Sequence, residues 1–228
     1  LEWSRIEPQE GKFDEKEIAH YRDVMMALRE RGMEPFVTLW HWTLPLWIRD
    51  KGGVASPKFA YFFNRYAQRM AEEYHEHVRF WITINEPMVW AMNVYLRGIW
   101  PPQKKSIVEF FHVVQNLIKA HRQAYQSVHT FYEIQNRAKD GHQPLMSPSL
   151  SKGGGEGEGT LVFVGIAKNN IYFDGLMAPL AKWFWNEFFL NRIADHQDFI
   201  GLNYYFHNHI KGLQFNQNKN KEVSDMGW

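Results

Sequence analysis

Phe80-Trp81-Ile82-Thr83-Ile84-Asn85-Glu86-Pro87 is the stretch on which the reading of this chain turns. Phe, Trp, Ile and Thr favour a pleated, packed surface, and a short apolar run bounded by breakers fits a strand covered on both faces. Pro87 lacks a backbone donor and stops the ladder. Asn85 and Glu86 are therefore expected at the carboxyl end of a buried strand, where barrel enzymes keep their chemistry. A glutamate held there is a candidate proton donor, because burial moves a carboxyl pKa towards the working pH.

Outward from this strand, helices and strands alternate. Upstream, Ser56-Pro57 reads as an N-cap and first helical residue, opening a helix that carries Phe59, Phe63, Tyr66 and Met70. Before it, Phe36-Val37-Thr38-Leu39-Trp40 reads as a strand that hands over to His41 and Trp42. Asp14 and Glu17 form a capping-box pattern for a helix striped by Ile18, Tyr21, Met25 and Leu28 and closed by Gly32. The first five residues read as the end of a strand with Arg5 at its tip. Downstream, Phe111, Val114, Ile118, Tyr125 and Val128 mark a long helix. A strand over 161–167, an aromatic helix over 183–193 and a strand ending in Asn203 follow.

This alternation predicts an α/β fold with a parallel sheet, either an open doubly wound sheet or a closed (β/α)₈ barrel. No Gly-rich phosphate loop follows a strand, which disfavours the nucleotide-binding version. Polar or aromatic groups at four strand ends (Arg5, His41, Asn85-Glu86 and Asn203) favour the barrel.

Composition narrows the function. The 228 residues are enough for one large domain, and 26 basic against 25 acidic residues give no reason to expect nucleic acid or an anionic membrane as partner. The chain has no cysteine, which excludes disulfides and thiolate chemistry and is compatible with a reducing, cytoplasmic setting. No apolar run approaches the roughly 20 residues that span a bilayer. Residues 147–159 (SPSLSKGGGEGEG) read as a flexible Gly/Ser/Glu-rich linker inserted in a single domain over 1–228. Both ends of the chain read as cuts through a larger fold.

Trp3-Ser4-Arg5, Thr38-Leu39-Trp40-His41-Trp42, Ile84-Asn85-Glu86-Pro87 and Phe199-Ile200-Gly201-Leu202-Asn203-Tyr204-Tyr205 together resemble, in order, motifs of the family 1 glycoside hydrolases, the β-glucosidases and their relatives. The resemblance covers nearly the whole chain apart from the linker. It implies a (β/α)₈ barrel of which these strands resemble the second to the sixth. It also implies retaining hydrolysis of β-D-glucosides or β-D-galactosides by two glutamates, with no cofactor and no metal. On that basis Glu86 corresponds to the acid/base, Asn85 to the residue that contacts the sugar 2-hydroxyl, and His41 and Trp42 to sugar-binding residues. Asn203 joins the substrate-binding set. Tyr205 corresponds to a tyrosine that bonds the nucleophile, and Arg5 to an arginine near it. The family's nucleophile motif, Thr-Glu-Asn-Gly, does not occur in this sequence, and neither Glu187 nor Glu222 is presented by a strand.

Two other readings compete. One is a non-catalytic opened barrel that self-associates, complements another fragment or binds a flat apolar ligand in an aromatic cleft. The other is a metal-dependent hydrolase, prompted by eleven histidines. Those are scattered, and His196, His207 and His209 lack a carboxylate at ligand spacing.

Overall fold

Parallel strands carry the fold: β1 (Phe36–Trp40), β2 (Phe80–Asn85), β3 (Phe163–Asn169), a short β4 (Tyr172–Asp174) and β5 (Phe199–Asn203). The computed structural model describes residues 1–139, 161–169, 172–174, 178–203 and 209–211. One sheet runs β1-β2-β3-β5 with every neighbouring pair parallel, while β4 pairs with β6 (His209–Lys211). Helices α1 (Trp3–Ile6), α2 (Glu15–Glu30), α3 (Leu46–Asp50), α4 (Phe59–Tyr74), α5 (Pro87–Ala91), α6 (Ile107–Lys139) and α7 (Ala178–Lys182) fill the connections. Neighbours in the sheet are thus successive main strands joined by helical crossovers, as a barrel wall requires.

The long helices follow their apolar stripes. On α4, Phe59, Phe63, Tyr66, Met70 and Tyr74 recur on one face and are fully buried. On α6 the buried line is Phe110, Val114, Leu117, His121, Ala124, Val128 and Tyr132, while Phe111 lies off it at 39% exposure. The two helices pack on each other, and α6 packs on β2, where Trp81 Nε1 donates to Tyr132 Oη at 3.1 Å. Burying an aromatic or aliphatic side chain of this size contributes about 1.5–3 kcal/mol, so this layer is a main source of stability.

Local readings needed adjustment at several ends. Asp14 Oδ1 caps α2 by accepting from the amides of Lys16 and Glu17, but the Glu17 side chain turns to Arg5 instead of completing a capping box. Helix α4 begins at Phe59, two residues beyond Pro57, because Ser56 closes a turn through its carbonyl to the Phe59 amide at 3.0 Å. The aromatic stretch after residue 182 is a π-helical turn (Trp183–Glu187) and a 3₁₀ turn (Leu190–Arg192) instead of one helix.

The largest correction is at the start. Trp3–Ile6 is a helical turn, not a strand end, because the Glu2 side chain accepts from the Ser4 amide and Trp3 and Ile6 then bury on one side. Trp3 stacks on Tyr66 at 4.8 Å and donates from Nε1 to the buried Glu7 carboxylate, which also takes the Gly11 amide and an ion pair with Arg65.

At the amino ends of the main strands, four phenylalanines meet. Phe36 stacks on Phe80 at 4.3 Å, Phe80 on Phe163 at 4.9 Å, and Phe199 sets its edge against Phe80 at 6.1 Å. Gly165, paired with Phe199, makes this closeness feasible, since a Cβ there would lie 2.3 Å from the Phe199 carbonyl oxygen.

Candidate active site

The carboxyl ends of the same strands gather polar groups. Asn203, the last residue of β5, donates from Nδ2 to Asn85 Oδ1 at 2.8 Å and to Glu86 Oε1 at 2.9 Å, which occupies both protons of its amide. Asn85, the last residue of β2, approaches His41 Nε2 with its own Nδ2 at 3.3 Å. An amide nitrogen only donates, so this contact assigns the His41 proton to Nδ1. Trp42 Nε1 donates to the Asn85 carbonyl at 2.9 Å. Asn85 and Glu86 are each 5% exposed.

Two of these residues hold backbone conformations that side chains avoid. Glu86 has φ 46° and Trp42 has φ 77°, both in the left-handed region. Each costs on the order of 1–3 kcal/mol and persists only where the surroundings over-determine it. For Glu86 those surroundings are its amide, which donates to the Ala167 carbonyl at 2.7 Å, and its carbonyl, which accepts from the Trp90 amide within α5. Pro87 occupies the first turn of that helix, so the proline that stops the strand also starts the helix. For Trp42 the support is Trp100, whose ring lies 4.8 Å away.

Behind Glu86, a cavity of about 10 Å³ is lined by Lys168, Trp185 and Asn186 among others. That is room for roughly one water. Lys168 Nζ donates to the Asn186 carbonyl at 3.0 Å. Burial pushes its ammonium down to about 8, with the Glu187 charge opposing. The whole cluster offers a carboxyl, two side-chain amides, an imidazole and indole faces within one cleft. Those groups can hold a hydroxyl-bearing ligand and pass a proton to or from it.

The structure therefore brings His41, Trp42, Asn85, Glu86 and Asn203 together. It does not bring Arg5 to them. Arg5 sits on α1 with its side chain 54% exposed and pairs with Glu17 at 2.7 Å, because α1 docks on α2. Glu187 ends a π-helical turn, 45% exposed and 3.9 Å from Lys182, so no strand presents it. Tyr204, Tyr205, His207, Glu222 and the 147–159 linker lie outside the described residues, and only the backbone of His209 is described. Among the described residues no group of three or more His, Asp or Glu could hold a metal ion, and no helix is long and apolar enough to cross a membrane. Trp100 and Lys168 escaped the sequence reading. Trp100 lies in a loop without periodicity, and Lys168 looks like an ordinary polar end to an apolar strand.

The sequence profile of glycosyl hydrolase family 1 matches residues 1–147. The 1,4-beta-D-glucan glucohydrolase of Thermotoga neapolitana is 37% identical over 142 residues, covering 62% of this chain and 32% of that protein. The solved beta-glycosidase from Pyrococcus horikoshii superposes with a TM-score of 0.77 at 30% identity, covering 100% of this chain and 54% of its own. The beta-glucosidase from Thermotoga maritima, solved in complex with deoxynojirimycin, gives 0.74 at 26% identity, covering 100% of this chain and 55% of its own. The chain thus spans about a third to a half of the length of these relatives. With the profile covering more than half of its residues and the parallel sheet superposing on solved members, the chain belongs to glycosyl hydrolase family 1.

Proposed function

We propose that this chain supplies the acid/base half of a retaining β-glycosidase site acting on β-D-glucosides or β-D-galactosides. The observation that carries the reading is the convergence of Asn85, Glu86 and Asn203 at strand ends through bonds of 2.8 and 2.9 Å. Glu86 protonates the glycosidic oxygen as it leaves and then, as carboxylate, takes the proton of the attacking water. Asn85 bonds the sugar 2-hydroxyl, a contact that strengthens in the transition state. His41, Trp42 and Asn203 hold the sugar, and Tyr205 steadies the nucleophile. The complex of the T. maritima relative with deoxynojirimycin supports a small sugar as the ligand. The nucleophile belongs to a Thr-Glu-Asn-Gly segment outside this sequence, and retention needs it about 5–5.5 Å from Glu86.

Glu86→Gln tests the assignment in a barrel completed with the nucleophile strand. Hydrolysis of alkyl glucosides, whose leaving groups need protonation, should fall roughly 10²–10⁴-fold. Glu86→Gly should recover turnover of an activated aryl glucoside when azide is added. Wild-type rates from the Gln variant on alkyl glucosides would overturn the role.

A second reading rests on Phe36, Ile200 and Leu202, which are 55%, 46% and 60% exposed on the sheet. Such a surface fits an opened barrel that self-associates or takes up a complementary segment. Light scattering separates the two: a monodisperse monomer counts against this second reading.

A further inference from the structure

Alternation along β2 does not by itself deliver Asn85 to the cleft. Trp81 and Thr83 both bond to residues of α6, so odd-numbered positions of this strand face the helices. Continued alternation would send Asn85 the same way. It points instead to His41 and Asn203. The register shows where the parity changes: Ile82 pairs with Gly165 and Asn85 with Ala167, so three steps on β2 match two on β3. An extra residue of this kind is a bulge, and it re-aims every side chain beyond it.

Thr83 stands inside that bulge, and its hydroxyl lies 2.7 Å from His121 Nδ1. His121 is fully buried on α6, and its Nε2 lies 2.6 Å from the His196 carbonyl oxygen. A carbonyl only accepts, so Nε2 carries the ring proton and Nδ1 is left to accept from Thr83. The Thr83 oxygen also sits 3.2 Å from the Gly165 carbonyl on β3. The hydroxyl has one proton, which goes to the nearer His121 Nδ1, so one side chain on the helix layer ties the bulged strand to the loop before β5.

We infer that His121 is a positioning residue, which pins the β2 bulge at Thr83 and thereby aims Asn85 and Glu86 into the cleft. The inference rests on the acid/base reading only for its consequence in turnover; the aiming itself is a property of the folded chain. Removing the Nδ1 acceptor leaves the Thr83 hydroxyl without its shorter partner and frees the bulge to relax. Glu86 then loses the fixed path that links its amide to Ala167 and its carboxylate to Asn203.

The experiment is NMR on this chain, with far-UV circular dichroism to confirm folding. The His121 ring should show a protonated Nε2 and a bare Nδ1. In His121→Leu and the nearly isosteric Thr83→Val, the Glu86 amide should exchange roughly tenfold faster with solvent, while amides of β1 keep their rates. The Glu86 carboxyl carbon signal, which reports the Asn203 contact, should move in both. His121→Asn, whose amide oxygen stands near the former Nδ1, should return both readouts towards wild type, which a filler of space alone would not do. If Leu at 121 unfolds the chain, Thr83→Val carries the test. Unchanged exchange and an unmoved Glu86 signal in folded Thr83→Val, or a proton on Nδ1, overturn the inference. A Glu86 that shifts in these variants yet proves dispensable for hydrolysis overturns the acid/base role and supports the positioning.

Discussion

At their amino ends the four main strands carry phenylalanines, and at their carboxyl ends they carry amides, an imidazole and a carboxyl. The two ends belong to the same strands and obey different rules. At the foot, rings stack at 4.3 and 4.9 Å. At the top, Trp42 and Glu86 are held in left-handed backbone and the contacts are hydrogen bonds. The difference teaches a division of labour common to barrels: the foot supplies stability, and the top spends some of it to hold groups where chemistry needs them.

The sharpest test of that division concerns completeness. The foot already has its rings in contact, whereas the top lacks a recognised nucleophile. A 2-fluoro glucoside incubated with the chain alone should leave no covalent adduct by mass spectrometry, and hydrolysis should lie several orders of magnitude below that of a completed barrel. A stoichiometric adduct on a monomer would show that a working carboxylate had gone unnoticed.

Stability should answer to the foot. Phe80 touches three other phenylalanine rings but is only half-buried, so Phe80→Ala should cost about 2 kcal/mol in urea unfolding. Phe36, 55% exposed, should cost about 1 kcal/mol or less. Equal losses from the two would break the picture of a foot organised around Phe80.

A third effect, spread over a range of pH, comes from His121 behind β2. Burial pushes the His121 pKa down to about 4, against the opposing pull of the His196 carbonyl and the Asp198 carboxylate and with the help of Arg122. Between that value and about 6.5, the unfolded chain binds a proton that the folded chain refuses. Stability contributed by neutral His121 is therefore full above pH 6.5 and drains as the pH falls to about 4, by up to about 3 kcal/mol. Urea midpoints measured from pH 7 to pH 4 should show this slope, and His121→Gln should flatten it.

Much of this was legible from residues in line. The Asn-Glu-Pro strand end, the His-Trp after β1 and the stripes of α4 and α6 announce themselves through local chemistry and period. What stayed hidden depends on distant neighbours. Helix α1 is one turn long, and its form comes from the Glu2 cap and from Trp3 stacking on Tyr66, neither of which leaves a period to read. Arg5 was drawn to the site by its motif and kept from it by Glu17, a partner selected only once α1 docks on α2. The β2 bulge is invisible in sequence because it exists only relative to the register of β3. Trp100 was missed because its importance lies in the ring it meets.

Gly165 has a reach that its place at the foot conceals. It pairs with Phe199, and four residues further along the same two strands Asn169 pairs with Asn203. A methyl group at 165 would sit 2.3 Å from the Phe199 carbonyl oxygen, so β5 has to step away to admit it. Asn203 rides on that strand about 13 Å higher, a distance set by four residues of extended chain. Drift at this glycine would silence the site from afar, and a map of vulnerable positions ranked by nearness to Glu86 would leave it blank.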